Sequence, residues 1–102
     1  MSRLDLRGNQ ITTLPDWIFE LKNLQYLDLY DNEITFIPVE IQKLKPLKYL
    51  SLSYNAIEGL PEEIGELKYL RELNLEQTPL ASKKELHAVL QKRIPDCAIK
   101  WE

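Results

Sequence analysis

The sequence predicts an α/β solenoid: short parallel strands stacked into a concave sheet, an irregular or 3-10 convex side, and a C-terminal cap of one helix and one strand. Three observations carry this expectation. Leu4, Leu27, Leu50 and Leu73 recur every 23 residues, and a fixed period of that size marks a stack of like units. A second leucine follows two places on, at Leu6, Leu29, Leu52 and Leu75, the alternation of a strand with one buried face. After Leu80 the period stops and apolar residues continue at helical spacing.

The remaining positions of the repeat follow from what a stacked strand needs. Asn9, Asn32 and Asn55 stand where each strand turns away, with Thr78 in the fourth slot. A side-chain amide there can serve backbone groups that have lost their ladder partner. Ile11, Ile34, Ile57 and Leu80 come next, and then Leu14-Pro15, Ile37-Pro38 and Leu60-Pro61 begin the return. Proline fixes φ and needs no backbone donor, so it suits the start of a convex segment. Ile18, Ile41 and Ile64, then Leu21, Leu44 and Leu67, then Leu24, Leu47 and Leu70 fill the space between the sheet and the returning chain. One repeat cannot bury its own apolar side, so neighbours supply the core.

The chain has 102 residues, which fits one domain over 1–102: repeats at about 1–23, 24–46, 47–69 and 70–80, and a cap over 81–102. A net charge of -3 argues against nucleic acid, which needs a basic face. The pairs Lys83-Lys84 and Lys92-Arg93 read as the solvated side of a helix. Cys97 is the only cysteine, which rules out an internal disulfide and a paired-cysteine metal or redox motif. No apolar run approaches the ~18 residues of a membrane span, and the first residues lack the hydrophobic stretch of a signal peptide. The cytoplasm is the default compartment, and secretion of a processed form stays open.

The segments Leu27-Asp28-Leu29-Tyr30-Asp31-Asn32-Glu33-Ile34 and Leu60-Pro61-Glu62-Glu63-Ile64-Gly65-Glu66-Leu67 resemble the leucine-rich-repeat family. The nearest type is its 23-residue, Leu-Pro-x-x-Ile form, found in bacterial proteins and in intracellular Ras-suppressor-like proteins. The likeness runs from residue 3 to about 80, and Arg93–Ile99 is similar to the C-terminal caps of short bacterial members, spirochaete ones included. The resemblance implies a non-catalytic module that binds another protein on its concave face, with no cofactor. Extracellular animal members usually carry cysteine clusters in their caps, and this chain has none.

The two ends differ. Ser82-Lys83-Lys84-Glu85 has the spacing of a capping box, with Ser82 as N-cap. Leu86, Val89, Leu90 and Ile94 make an apolar stripe, Pro95 ends the helix, and Cys97, Ile99 and Trp101 alternate as in a strand. At the other end no cap precedes the strand at Leu4-Asp5-Leu6, so its edge and Leu4 and Leu6 are candidates for self-association. A truncated chain and a short natural product are the other readings of that start.

Departures from the repeat are where binding chemistry is sought. Outward strand positions fall into columns: Arg3, Tyr26, Tyr49 and Glu72; Asp5, Asp28, Ser51 and Asn74; Arg7, Tyr30, Ser53 and Glu76; Gly8, Asp31, Tyr54 and Gln77. Four tyrosines thus cluster on the middle two strands. Tyrosine offers large contact area with a polar tip at low entropy cost, and it is common at binding hot spots. The expected partner surface is Tyr26, Asp28, Tyr30, Asp31, Tyr49, Ser51, Ser53, Tyr54 and Glu72. On the convex side Trp17 aligns with Glu40 and Glu63, and Phe19 with Gln42 and Gly65, so both aromatics are expected to face water as a contact site for a partner or for self-association, or else to fold over the end of the core.

No catalytic residue is expected. His87 is the only histidine, and Cys97 is in phase with inward-pointing residues, so a Cys–His nucleophile pair has little support. Glu62, Glu63 and Glu66 read as a solvated face. His87 beside surface acids is the one zinc candidate, between molecules, and no ligand motif converges with it. Two functions follow from the sequence: recognition of a protein partner through the concave tyrosines, or homo-oligomer assembly through the uncapped N-terminal end.

Overall fold

The alternating leucines form strands one repeat apart, in strict parallel register. The computed structural model describes residues 1–102. Its strands are β1 (Arg3–Asp5), β2 (Tyr26–Asp28), β3 (Tyr49–Ser51), β4 (Glu72–Asn74) and β5 (Ala98–Lys100), ordered as in the sequence. Leu4 lies opposite Leu27, Leu27 opposite Leu50, Leu50 opposite Leu73, and Leu73 opposite Ile99. The register continues past the strands, where Leu29 N–H donates to Ser51 O at 3.0 Å and Leu52 N–H to Asn74 O at 2.8 Å.

The proline of each Leu-Pro or Ile-Pro pair starts a 3-10 turn on the convex side: Asp16–Glu20, Val39–Lys43 and Glu62–Glu66. Pro15, Pro38 and Pro61 sit before these turns in extended backbone, and their carbonyls accept from the N–H groups of Ile18, Ile41 and Ile64 at 3.0–3.2 Å. Those isoleucines are fully buried, as are Leu27, Leu29, Leu50 and Leu52 from the sheet. Burying one such side chain stabilises by about 1.5–3 kcal/mol, so the column of leucine and isoleucine dominates the fold.

The asparagines join one repeat to the one before. Asn32 Oδ1 accepts from the N–H groups of Asn9 (2.9 Å) and Ile11 (3.0 Å), while its Nδ2 donates to Leu6 O and Leu29 O. Asn55 repeats the pattern on Ile34 N–H, Leu29 O and Leu52 O. The Asn9 side chain is exposed and donates only to Arg7 O. Thr78 keeps one part of the device: its hydroxyl donates to Leu75 O at 2.7 Å and accepts from Ala81 N–H.

The C-terminal cap departs from the sequence expectation in two ways. Helix α1 spans only His87–Arg93, and its N-cap is Leu86, with no side-chain capping bond. Ser82 instead ends the 3-10 turn Pro79–Ser82, which Thr78 caps, and a second 3-10 turn covers Lys84–Leu86. A capping serine needs extended backbone, and Ser82 lies inside a turn already begun by Thr78-Pro79. The stripe also splits. Leu90 and Ile94 join the core, whereas Leu86 and Val89 remain exposed. Gly65 lets α1 approach the convex turn closely, since a Cβ there would meet Arg93 O at 3.3 Å. Gln91 ties the helix to its exit through Nε2 bonds to Ile94 O and Cys97 O, both at 3.0 Å.

The two convex aromatics divide between their two expected placements. Phe19 is buried in the core cluster, while Trp17 is exposed. A residue one turn-position away from fully buried Ile18 can roll inward when its neighbours are small or polar, and Leu4, Leu6, Ile11 and Leu21 at this end are only partly covered. Phe36 and Val39 are also exposed on this part of the chain, which the repeat pattern did not single out.

Two stability measurements check this account. Asn55→Ala leaves Ile34 N–H and Leu52 O buried without partners, while Leu29 O keeps the Asn32 amide, so urea unfolding should show a loss of roughly 3 kcal/mol. Asn9→Ala should cost less than about 1 kcal/mol; equal losses would contradict the ladder. Phe19→Ala should cost roughly 3–5 kcal/mol, as for a core aromatic, and Trp17→Ala should stay within about 1 kcal/mol of the parent.

Candidate functional site

The strand register brings the four tyrosines together in two pairs. Tyr26 and Tyr49, opposite each other on β2 and β3, stack with ring centroids 4.2 Å apart and planes within 5°. The Arg3 guanidinium lies over the Tyr26 ring at 3.7 Å, so both faces of that ring are occupied. Tyr30 and Tyr54 form the second pair, 5.0 Å apart and tilted by 52°. These two rings are exposed, at 41% and 48%.

Asp28, Ser51 and Ser53, expected to present themselves to a partner, form the floor instead. All three are buried, because the long tyrosine side chains on either side cover the short residues between them. Asp28 Oδ1 accepts from Tyr30 N–H at 3.1 Å and Oδ2 from the Tyr26 hydroxyl at 3.5 Å. Ser53 Oγ donates to Glu76 Oε1. Asn74 Nδ2 donates to the Tyr49 hydroxyl at 3.1 Å, and Asn74 Oδ1 is the one buried side-chain acceptor with no partner. Leaving such an acceptor unserved costs about 1–3 kcal/mol.

Together these residues line an open depression of about 620 Å³. Its lining holds seven of the nine expected partner-facing residues. The other two lie outside it: Asp31 is an exposed turn residue, and Glu72 pairs with Lys100 at 3.3 Å. The lining adds Arg7, Asn74, Glu76, Gln77 and Glu102. The first four were legible as members of the same columns. Glu102 was not; it arrives because β5 pairs with β4, which sets it two residues beyond the Asn74–Lys100 pair.

Electrostatics sharpens the picture. Arg7 is held by Asp5, with Nη2–Oδ2 at 2.9 Å and Nε–Oδ1 at 2.9 Å, and lies 3.7 Å from Asp28. The hydrogen bonds from Arg7 hold the Asp5 carboxyl below its ordinary range. Burial pushes the Tyr49 phenol up. Desolvation, then Tyr54, Asp31 and Glu76, push the Tyr30 phenol up. Both hydroxyls therefore stay protonated at neutral pH.

One backbone feature escaped the sequence reading. Gly8, Asp31, Tyr54 and Gln77 occupy the same slot of successive repeats, and all have positive φ: 66°, 59°, 60° and 58°. The turn after each strand demands this conformation, which glycine adopts freely and a bulky residue rarely does. Tyrosine at this slot carries strain of about 1–2 kcal/mol. The backbone alone does not call for Tyr54.

His87 and Cys97 are placed apart in function. The His87 ring stacks on Trp101 at 3.5 Å, and its Nε2 lies 3.0 Å from Ala81 O. Cys97 is buried with its thiol toward Ala98 O, and no hydrogen bond joins it to His87. No three His, Cys, Asp or Glu side chains converge as metal ligands, and no helix is long and apolar enough to cross a membrane.

Comparison with known proteins agrees with this geometry. The Leucine rich repeat family model matches residues 1–45 and 41–80. The chain belongs to the leucine-rich-repeat family. Across 98% of its length it is 40% identical to a leucine-rich-repeat protein of Leptospira interrogans, with a TM-score of 0.89. It is 31% identical to an internalin of Listeria monocytogenes over 76% of the chain, with a TM-score of 0.69. The chain spans 25% of the Leptospira protein and 22% of the internalin. The leucine-rich-repeat ectodomain of an Arabidopsis thaliana receptor kinase shares the fold, at 23% identity, over 76% of this chain and 57% of that one, with a TM-score of 0.61. No curated protein sequence matches the chain. A leucine-rich-repeat solenoid is typically a scaffold for protein interaction.

Burial raises the Cys97 thiol from 9.0 to about 11, with Arg71 opposing and Glu72 adding a smaller push. The folded state therefore holds the proton more tightly than the unfolded chain. Stability that is present below pH 9 should be lost as pH rises toward about 11. Alkylation by iodoacetamide at pH 8 should be far slower for native protein than for protein in urea. Equal rates would contradict a buried, protonated thiol.

Proposed function

We propose that this chain is a non-catalytic module that binds a protein partner through its concave face. The observation that carries the reading is the pairing of four tyrosines over a polar floor, on β2, β3 and the turns that follow them, in a sheet otherwise built for repetition. Tyr30 and Tyr54 offer exposed rings at the mouth, and Tyr26 and Tyr49 form a stiff stacked wall beside them. Rigid aromatics lose little entropy on contact, which suits them as anchors. The strain accepted at Tyr54 supports the same reading, since the αL slot would be better served by glycine. Asp31 and Glu72 then belong to the rim.

A second reading is assembly of copies through the β1 end. Exposed Trp17 and the partly covered Leu4 and Leu6 favour it. Phe19, once the other half of that patch, is in the core, so the surface is smaller than the sequence suggested.

Paired variants separate the two. Tyr30→Ala with Tyr54→Gly should leave thermal stability within about 1 kcal/mol, because glycine relieves the positive φ. The same variant should weaken capture of the natural partner by at least roughly tenfold and leave sedimentation unchanged. Retained capture in this variant, with assembly lost in Trp17→Ala, would reverse the assignment.

A further inference from the structure

The two tyrosine pairs differ in build and are not equally satisfied: Tyr26 and Tyr49 lie directly opposite each other, whereas Tyr30 and Tyr54 come from neighbouring columns. In the first column Arg3 covers the open face of Tyr26, and the stack Arg3–Tyr26–Tyr49 is complete within the chain. The third column begins in the same order, with Arg7 in the place of Arg3 and Tyr30 in the place of Tyr26, but Ser53 stands in the place of Tyr49, and Tyr54 comes from the next column. There the arginine does not reach the ring. Asp5 draws it off with two short contacts, and Asp28 lies 3.7 Å from its Nε. The Tyr30–Tyr54 notch is left open, aromatic and without a cation.

Charge around the notch points the same way. Asp28, Glu76 and Glu102 line the depression against the single guanidinium of Arg7, which Asp5 already engages. Glu76 uses Oε1 to accept from Ser53, leaving Oε2 without a hydrogen bond. Asn74 adds an acceptor with no donor, and its amide donates to Tyr49. The lining thus carries three carboxylates against one guanidinium, with acceptors to spare. A cation over a tyrosine face beside a carboxylate is attracted both by the ring quadrupole and by the charge.

We propose that the Tyr30–Tyr54 notch receives a lysine or arginine side chain from the protein partner, with Glu76 as its counter-ion and Asp28 adding to the negative floor. The inference rests on the concave-face reading above and gives the partner its chemistry: a segment that presents one basic side chain into a tyrosine-and-carboxylate cleft. Arg3 on Tyr26 shows the same contact already made inside this fold.

The test is a display library of unbiased short peptides selected on the intact chain. Enriched peptides are then measured by fluorescence anisotropy on the parent, on Glu76→Gln, and on Tyr30→Ala with Tyr54→Gly. Glutamine still accepts from Ser53, so Glu76→Gln keeps the local fold. Enriched peptides should share a lysine or arginine at one fixed position. Replacing it with norleucine, or testing the peptide on Glu76→Gln, should weaken binding roughly tenfold, and added salt should weaken the parent complex. Peptides that need Tyr30 and Tyr54 but ignore the basic residue and Glu76→Gln would overturn this inference and leave the concave-face reading standing. Peptides bound equally well by the double tyrosine variant, or no enriched peptide at all, would contradict both.

Discussion

Everything in this molecule depends on residue i lying beside residue i+23. The parallel ladder imposes that register from Leu4 through Leu73, and Ile99 continues it from outside the repeat. A slip of one residue would turn every buried leucine to solvent. The asparagine amides guard against it, because Asn32 and Asn55 each bridge their own strand exit to the preceding one. The same register stacks outward side chains in columns. A surface substitution is therefore always beside its counterparts, and a binding face can change residue by residue without disturbing the core.

That separation explains how much the sequence disclosed. The solenoid was legible because a leucine recurring with fixed period leaves one solution that buries it. The asparagine ladder was legible because an amide at a strand exit has one efficient use. The tyrosine cluster was legible from the columns. Other features answer to packing that no period encodes. Asp28, Ser51 and Ser53 alternate outward as expected, yet are buried beneath longer neighbours. Phe19 follows buried Ile18 and turns inward at the less crowded end. Ser82 matches a capping pattern, but Thr78-Pro79 had already begun a turn through it. Glu102 reaches the depression only through the pairing of β5 with β4.

The residues that repeat build the scaffold, and those that break the repeat give it a chemical character. Tyr54 shows the distinction within one residue. Its slot requires positive φ, which Gly8 meets without strain, and tyrosine meets it at a cost. Arg3 and Arg7 show it between columns, since the same residue type covers a ring in one place and is held away from it in the other. The concave face is thus half complete in itself and half open.

The most direct measurement is amide hydrogen exchange on the chain alone and with its protein partner bound. The account predicts new protection over Tyr26–Asp31 and Tyr49–Tyr54, where the tyrosine pairs stand, with little change on the convex turns. Protection confined to Asp16–Glu20 and the β1 edge, with the concave strands unaffected, would contradict it.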